Sequence, residues 1–248
     1  MKSFFLALQF LTIIPIKFKN IQQKQMARAM IYFPLAGLIL GIILAGENYF
    51  LLLLGFPRLA TNIILVVSLI ALTGGMHLDG LADTVDAFCS GKSKDEALAI
   101  MREPRIGTMG ALSLISVILL KIGLLYSLGG SLKITALLLM CVFSRWSTVW
   151  AMFLSGYARE EGKAKAFIQG MNLKIFLLSL LITAALAAAI WRIEGLITLL
   201  IIAGCVYSGV KFTQEKIGGI TGDTLGATVE LTELLSIIIL APFSNLIG

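Results

Sequence analysis

Charged residues are scarce in this sequence. Of 248 residues, 14% are charged, whereas 58% are hydrophobic, and the mean hydropathy is +0.95. Ordinary soluble domains are roughly 45–50% apolar, so a soluble chain of this size could not cover so much apolar surface. A lipid bilayer removes that difficulty. The composition therefore excludes a soluble globular protein and predicts an integral membrane protein.

Cysteine and histidine are scarce as well. The three cysteines, Cys89, Cys141 and Cys205, are widely spaced, so we expect neither a disulfide framework nor a thiolate metal site. His77 is the sole histidine. The apolar run over residues 1–16 lacks a small-residue cleavage site, which argues against a signal peptide. Because the run is short for a full span of ~20 residues, it predicts a retained interfacial or re-entrant helix.

Seven longer apolar segments follow this run. Each can cross a hydrocarbon core of ~30 Å as a helix at about 1.5 Å per residue. Helices are expected because backbone polar groups in lipid must be satisfied within the segment. The segments are residues 31–55, 59–76, 108–128, 132–154, 173–191, 195–212 and 231–247. We therefore predict an all-α, polytopic transmembrane helix bundle of about seven spans, forming a single domain over residues 1–248.

The connections between these segments alternate in charge. Basic residues gather in the longer loops, while each short turn between them carries one. The longer loops are residues 17–30, 77–107, 155–172 and 213–230. By the positive-inside rule these loops face the cytoplasm and the C-terminus lies outside. Topology then explains the net charge of +6 without a nucleic-acid partner; attraction to anionic lipid or to a phosphate substrate is left open.

Three aspartates lie where the second apolar segment meets the predicted cytoplasmic face. Asp79, Asp83 and Asp86 occupy positions i, i+4 and i+7, which on a helix lie within ~60° of one another. These like charges repel one another near the membrane boundary, and a divalent cation would relieve the repulsion. Carboxylates favour a hard ion, Mg²⁺ or Mn²⁺, over zinc. The pattern therefore predicts a metal site.

A second acidic set lies near the C-terminus. If a helix begins near Asp223, then Asp223 and Glu230 share a face, with Glu233 beside them. Ionised groups at the start of a span are functional candidates, although glutamates at a helix start are also common because they suit the helix dipole. The similarity of residues 79–86 (DGLADTVD) to residues 223–230 (DTLGATVE) would fit a parallel repeat, or chance.

Several basic residues near these acidic sets suit a phosphate ligand. Arg102 and Arg105 stand beside glycines at the start of a predicted helix, where guanidinium and backbone N–H donors can bind phosphate. A positive-inside flank is a compatible explanation. Arg145 lies deep in its span, so we expect it to face the site or pair with a carboxylate. His77 would lie opposite the aspartate stripe, and both a loop-orienting and a direct role are open.

Carboxylates that bind a divalent cation, nearby arginines and a cytoplasm-facing site together predict phosphoryl or phosphodiester transfer. The metal would neutralise diphosphate oxygens, and another carboxylate would accept the proton of an attacking hydroxyl.

Over essentially its whole length the chain resembles the cobalamin synthase family, the adenosylcobinamide-GDP ribazoletransferases. The stretches that carry the resemblance are LQFLT at 8–12 with Pro15, GGMHLDGLADTVD at 74–86, IMREPRIGT at 100–108, YAREEG at 157–162 and TGDTLGA at 221–227. The resemblance implies a Mg²⁺-dependent transferase that joins adenosylcobinamide-GDP to α-ribazole, or to its 5′-phosphate. Release of GMP would complete the last assembly of the coenzyme B12 nucleotide loop.

Projected onto this sequence, the resemblance leads to a hypothesis for each site residue. The candidate metal ligands are Asp79, Asp83 and Asp86. The candidate phosphate-binding residues are Arg102, Arg105 and Arg145. The candidate catalytic residues are Asp83, Asp223, Glu230, Glu233 and His77. Of these, the second acidic set would hold a second ion or act as the base toward the ribazole hydroxyl.

The expected partners are these two substrates and the lipid bilayer, with assembly into a homo-oligomer left open. The expected location is the cytoplasmic (inner) membrane of a bacterium or archaeon, with the active site facing the cytoplasm. Two other functions compete. A cation or corrinoid transporter would also carry intramembrane charges, but transport sites usually lie near the midplane rather than at the cytoplasmic edge. A lipid-head-group transferase would apply the same chemistry to a different alcohol.

Overall fold

The computed structural model describes residues 2–16, 22–162 and 164–245. Part of the expected loop 17–30, the first residue of the N-terminal run and the end of the last expected span lie outside the described residues. The helices are α1 (Lys2–Leu11), α2 (Gln23–Ala29), α3 (Phe33–Leu53), α4 (Arg58–Thr73), α5 (Met76–Cys89), α6 (Lys94–Ile100), α7 (Thr108–Ser127), α8 (Gly130–Leu154), α9 (Lys165–Gln169), α10 (Leu173–Ile217) and α11 (Gly222–Leu240). Short 3₁₀ segments at Met30–Tyr32 and Ala241–Asn245 precede α3 and follow α11.

The prediction of an all-α, multi-pass membrane bundle is confirmed. Five helical stretches are long and apolar enough to cross a membrane, and a sixth arises if the bent pair α4 and α5 forms one span. The five are Gln23–Leu53, Thr108–Ser127, Gly130–Leu154, Leu173–Ile217 and Gly222–Phe243. The number of about seven spans stays a prediction.

The helix α10 is a hairpin of two limbs. Its 45 residues would extend over about 67 Å as a straight helix, roughly twice the thickness of a hydrocarbon core. The backbone leaves helical geometry at Trp191 and at Arg192, whose φ is +44°. Beyond this point Gly195 lies directly against the carbonyl of Ala187. In a straight helix two residues separated by eight positions would lie about 12 Å apart, so the chain must reverse here.

Trp150 of α8 contacts both limbs of this hairpin. Its indole N–H donates to the carbonyl of Ala203 over 3.0 Å, and its ring stacks on Phe176 with centroids 4.9 Å apart. The two limbs therefore lie side by side, and the start and the end of α10 lie at the same end of the bundle. This matches the expectation of two separate apolar segments at 173–191 and 195–212.

The helix α8 forms the centre of the bundle. Its side chains from Ala136 to Val149 are buried apart from one half-buried position, and it packs against α3, α10 and α11. The backbones of α3 and α8 approach closely where Gly37 meets Cys141 and Gly41 meets Leu138. A side chain at either glycine would collide with the α8 backbone, so glycine allows this contact.

The expected second span, residues 59–76, ends earlier than predicted. α4 stops at Thr73, and Gly74 and Gly75 take positive φ angles of 64° and 69°. Glycine adopts this left-handed conformation readily, whereas other residues seldom do. After the two glycines, α5 leaves at 90° to α4. The N-terminal segment reaches this break, because the Ile13 N–H donates to the Leu72 carbonyl over 2.9 Å.

The helices α5 and α11 pack against each other in opposite directions. Gly80 lies against the backbone of Asp223, and Gly226 lies against the backbone of His77. Residue numbers along α11 therefore decrease where those along α5 increase, so the two helices are antiparallel. The two similar acidic segments therefore run in opposite directions where they touch. A repeat that relates them stays a prediction.

The last helix begins nine residues before the expected segment 231–247. Thr221 caps α11, because its side chain accepts a hydrogen bond from the Thr224 N–H and the Thr224 hydroxyl oxygen accepts one from the Thr221 N–H. This reciprocal cap starts the helix at Gly222 and confirms a helix start near Asp223. Glu230 therefore lies in the third turn of α11 rather than at the beginning of a span.

Candidate functional site

The first and second acidic motifs meet at one end of the bundle. A Cβ atom added at Gly80 would lie 2.7 Å from the Asp223 carbonyl oxygen, so α5 and α11 touch at this glycine. Asp83 lies within electrostatic range of Asp79, Asp86 and Asp223. Asp79 is exposed, and the other three are half-buried. Four carboxylates from two helices thus share one region, which we call the acidic end.

Asp86 differs from the other carboxylates because it already binds backbone amides. Its two carboxylate oxygens accept hydrogen bonds from the N–H groups of Gly107 and Gly110, each over 2.7 Å. These donors lie at the start of α7, where free N–H groups favour a negative charge. Asp86 therefore fixes the start of α7 beside α5, whereas Asp79 and Asp83 have no hydrogen-bonded or ion-paired partner among the described residues.

Arg159 joins the acidic end from the loop between α8 and α9. Its NH2 atom lies 2.7 Å from the Oδ2 atom of Asp223. The loop is held there by backbone hydrogen bonds, in which Ala158 N–H donates to Ile220 over 2.9 Å and Ile220 N–H donates to Gly156 over 3.0 Å. Sequence reasoning noted Arg159 only as a loop charge and as part of the YAREEG stretch. Its pairing with Asp223 is a feature of the tertiary structure.

Tyr157 and Arg102 also lie in this region. Burial is the main cause that raises the pKa of the Tyr157 phenol above its ordinary value, so the phenol stays protonated at neutral pH. Arg102 is exposed and lies within electrostatic range of Tyr157. Arg105 is exposed as well, with its NH2 atom 3.4 Å from the Glu103 carboxylate. A phosphate-binding role for Arg102 and Arg105 stays a prediction.

A second polar group lies inside the bundle and consists of Lys121, Arg145, Glu230 and Glu233; we call it the buried ion network. The Lys121 ammonium lies 2.6 Å from Glu230 and also pairs with Glu233. Glu233 in turn pairs with Arg145. All four side chains are at most 7% exposed. Two positive and two negative charges balance, which is the condition under which buried charges are tolerated.

The buried ion network divides the second acidic set, because it contains Glu230 and Glu233 but not Asp223. Glu230 and Glu233 had been expected to act together with Asp223, but the structure pairs them with Lys121, while Asp223 pairs with Arg159. Lys121 was missed because it lies within an apolar run. A lone lysine near the middle of a predicted span was the available signal. The expectation that Arg145 pairs with a carboxylate is confirmed.

His77 is buried beside this network. It lines a cavity of about 10 Å³ together with Lys121, Glu230 and Glu233, and the charge of Arg145 also reaches it. A cavity of this size holds about one water molecule. The prediction that His77 faces away from the aspartate stripe is therefore confirmed. A direct catalytic role for His77 stays a prediction.

The close contact at Gly80 makes a sharp prediction. Gly80→Ala is expected to push α5 away from Asp223. If the carboxylates at the acidic end are the catalytic groups, this displacement lowers activity on the order of 10–100-fold, because catalysis depends on their geometry. Gly123→Ala is the matched control, since a Cβ there meets nothing within 4 Å and gains up to about 1 kcal/mol of helix stability. Initial rates and thermal unfolding of both variants should be measured. Equal activity in the two variants would contradict this role for the contact.

The comparisons with known proteins identify the family to which this chain is similar. A family model described as cobalamin-5-phosphate synthase matches residues 3–241. Curated proteins named adenosylcobinamide-GDP ribazoletransferase are similar over nearly their whole length. The one from Desulforamulus reducens is 37% identical over 228 residues, covering 92% of this chain and 91% of the relative. The one from Klebsiella pneumoniae strain 342 is 39% identical over 250 residues, covering 96% and 99%.

A third relative, from Clostridioides difficile strain 630, carries the same name and is 32% identical over 248 residues, covering 96% of each chain. No solved structure matches this chain. The family model covers nearly all of the described helices, including α5, α11 and the loop that carries Arg159. The chain therefore belongs to the cobalamin-5-phosphate synthase family.

Proposed function

We propose that this protein joins adenosylcobinamide-GDP to α-ribazole, or to α-ribazole 5′-phosphate, and releases GMP. The proposal rests on the name shared by the curated relatives and on one structural observation. At the acidic end, Asp83 of α5 lies within electrostatic range of Asp79 and of Asp223 on α11, and Arg159 pairs with Asp223. A diphosphate substrate needs both a cation held by carboxylates and a positively charged side chain, and these residues can supply both.

The donor set at the acidic end fits Mg²⁺. Among the described residues no three His, Cys, Asp or Glu side chains are grouped closely enough to hold a metal by themselves. Mg²⁺ usually binds through one or two carboxylates together with substrate phosphates. Asp79 and Asp83 are the carboxylates we assign to it. Mg²⁺ bound with the substrate would neutralise the diphosphate oxygens.

The reaction exchanges a phosphoanhydride bond for a phosphoester bond. The ribazole hydroxyl oxygen attacks the phosphorus next to the cobinamide, a new P–O bond forms, and the bond from that phosphorus to GMP breaks. The hydroxyl proton passes to a carboxylate acting as base. Asp223 is better placed for this than Glu230 or Glu233, because both glutamates are enclosed in the buried ion network. Arg159 and the exposed Arg102 and Arg105 would orient the substrate phosphates.

The acidic end is proposed to face the cytoplasm. The acidic end contains arginines and also lies next to Lys94, whose side chain contacts Gly218 just before α11. A concentration of lysine and arginine around one end of a bundle is what the positive-inside rule predicts for the cytoplasmic side. A cytoplasmic site in the inner membrane would give soluble substrates direct access.

The test is an assay of the purified full chain in detergent. Adenosylcobinamide-GDP and α-ribazole would be supplied with and without Mg²⁺, and GMP and the joined corrinoid would both be measured. We expect equal amounts of the two products, and formation of both only with the metal. Folded protein that forms neither product at any Mg²⁺ concentration would overturn the proposal, and lipid-head-group transfer would be tested next.

A further inference from the structure

A groove with basic side chains lies apart from the acidic end. It has a volume of about 1040 Å³ and opens between α1, α2 and the beginning of α10. The basic residues that line it are Lys2, Lys24, Arg28 and Lys174. All four are exposed, and no described residue that lines the groove is acidic. Within the described part of the chain none of the four takes part in an ion pair. The groove therefore offers positive charge that no described residue neutralises.

One wall of the same groove is apolar. Ile31 and Tyr32 line it from the α2 side, and Ile175 and Leu178 line it from the first limb of α10. The apolar surface continues along this limb, where Leu177 is 50% and Leu181 is 66% exposed. A limb that crosses the membrane would present these leucines to lipid. Basic groups thus stand directly above a lipid-facing aliphatic surface.

The groove opens toward the same face of the membrane as the acidic end. The hairpin in α10 brings its first residue and its last residue to the same end of the bundle, and α11 begins there with Asp223. Lys174 therefore stands near the headgroup level of that leaflet. If this leaflet is cytoplasmic, it carries the anionic lipids that attract lysine and arginine near the surface.

We propose that this groove binds an anionic phospholipid, with its phosphate headgroup among Arg28, Lys174 and the neighbouring lysines. The acyl chains would lie along the exposed leucines of the first limb of α10. Guanidinium and ammonium donors supply the charge that a phosphate requires. A soluble phosphate would use these donors but leave the apolar wall uncovered, so the combination favours a lipid. The groove shares no residue with the acidic end, and the site is independent of the proposed reaction.

The test measures lipid binding directly on the full chain in a neutral detergent. Retention of labelled phosphatidylglycerol is compared with retention of phosphatidylcholine. Arg28→Gln combined with Lys174→Gln should weaken phosphatidylglycerol binding about 30-fold. Each basic residue near an anionic surface strengthens binding by a factor of about 5.5, and the two factors multiply. Lys2→Gln combined with Lys24→Gln should act in the same direction. The matched control, Lys211→Gln with Lys216→Gln, removes two exposed lysines outside the groove and should change binding less than twofold.

Three results would overturn the proposal. An equal loss in the groove and control variants would show general attraction of anionic lipid to a basic protein. Equal retention of phosphatidylcholine and phosphatidylglycerol in the unmodified chain would show that the charge is not recognised. Displacement of the lipid by inorganic phosphate at the same concentration would assign the groove to a soluble phosphate. Monodisperse elution of every variant verifies that the exposed substitutions leave the fold intact.

Discussion

Replacement of Asp83 with asparagine is expected to abolish turnover while leaving the folded protein intact. Asp83 lies within electrostatic range of Asp79, Asp86 and Asp223 at the acidic end, and it has no hydrogen-bond or ion-pair partner among the described residues that would be lost. Asparagine has nearly the same shape but cannot supply a negative charge to a cation or accept a proton as a base. Loss of one group that stabilises developing charge typically costs on the order of 10²–10³-fold in rate.

The measurement is release of GMP at saturating Mg²⁺, with thermal unfolding in detergent recorded in parallel. Asp95→Asn is the matched control, because Asp95 is an exposed carboxylate in the first turn of α6 and lies outside the proposed machinery. Its rate should stay close to that of the unmodified chain. Turnover by Asp83→Asn at the unmodified rate would refute the assignment of the acidic end as the reaction site.

Replacement of Glu233 with glutamine is expected to have the largest effect on stability. Glu233 pairs with both Lys121 and Arg145 at 1% exposure, so its neutralisation leaves a net positive charge inside the bundle. Breaking a buried pair by removing one partner costs about 3–5 kcal/mol. The denaturant midpoint in mixed micelles should fall accordingly. Glu215→Gln, on an exposed site of α10, is the control and should leave the midpoint unchanged.

The double variant Glu233→Gln with Lys121→Gln distinguishes a loss of charge balance from other causes of destabilisation. It removes one charge of each sign, leaving Arg145 and Glu230. If the buried ion network acts through electrostatic balance, the double variant loses less free energy of unfolding than the sum of the two single variants, by about 1 kcal/mol or more. Strictly additive losses would mean that the four side chains contribute independently, and the network would then be a set of separate contacts.

These two predictions concern groups that looked alike in the sequence. Asp83, Asp223 and Glu233 are all carboxylates near predicted membrane boundaries, and spacing alone made each a candidate for the site. Depth and partners distinguish them in the structure. Glu233 is buried beside two cations, whereas Asp223 pairs with Arg159 and Asp83 has no partner within the described part of the chain. The i, i+7 spacing describes one helix and carries no information about the residues on the helices packed against it.

The membrane class, the all-α fold and the apolar segments were determined by the sequence itself. Hydropathy is a sum over local residues, and a lipid environment leaves the helix as the form that satisfies the backbone within each segment. The helix start near Asp223 was also predictable, because the Thr221 cap depends on residues three apart. The aspartate stripe on α5 followed from helical periodicity in the same way.

Only the tertiary structure decided which charged residues meet. Arg159 is 64 residues from Asp223, and Lys121 is 109 residues from Glu230, and no local pattern encodes contacts between such distant positions. The early end of α4 also depends on backbone conformations at Gly74 and Gly75 that hydropathy does not register. The sequence determined that this protein lies in a membrane and carries acidic helices. Packing determined which carboxylates are available for chemistry and which ones stabilise the bundle, because ion pairing and burial arise only when distant segments come together.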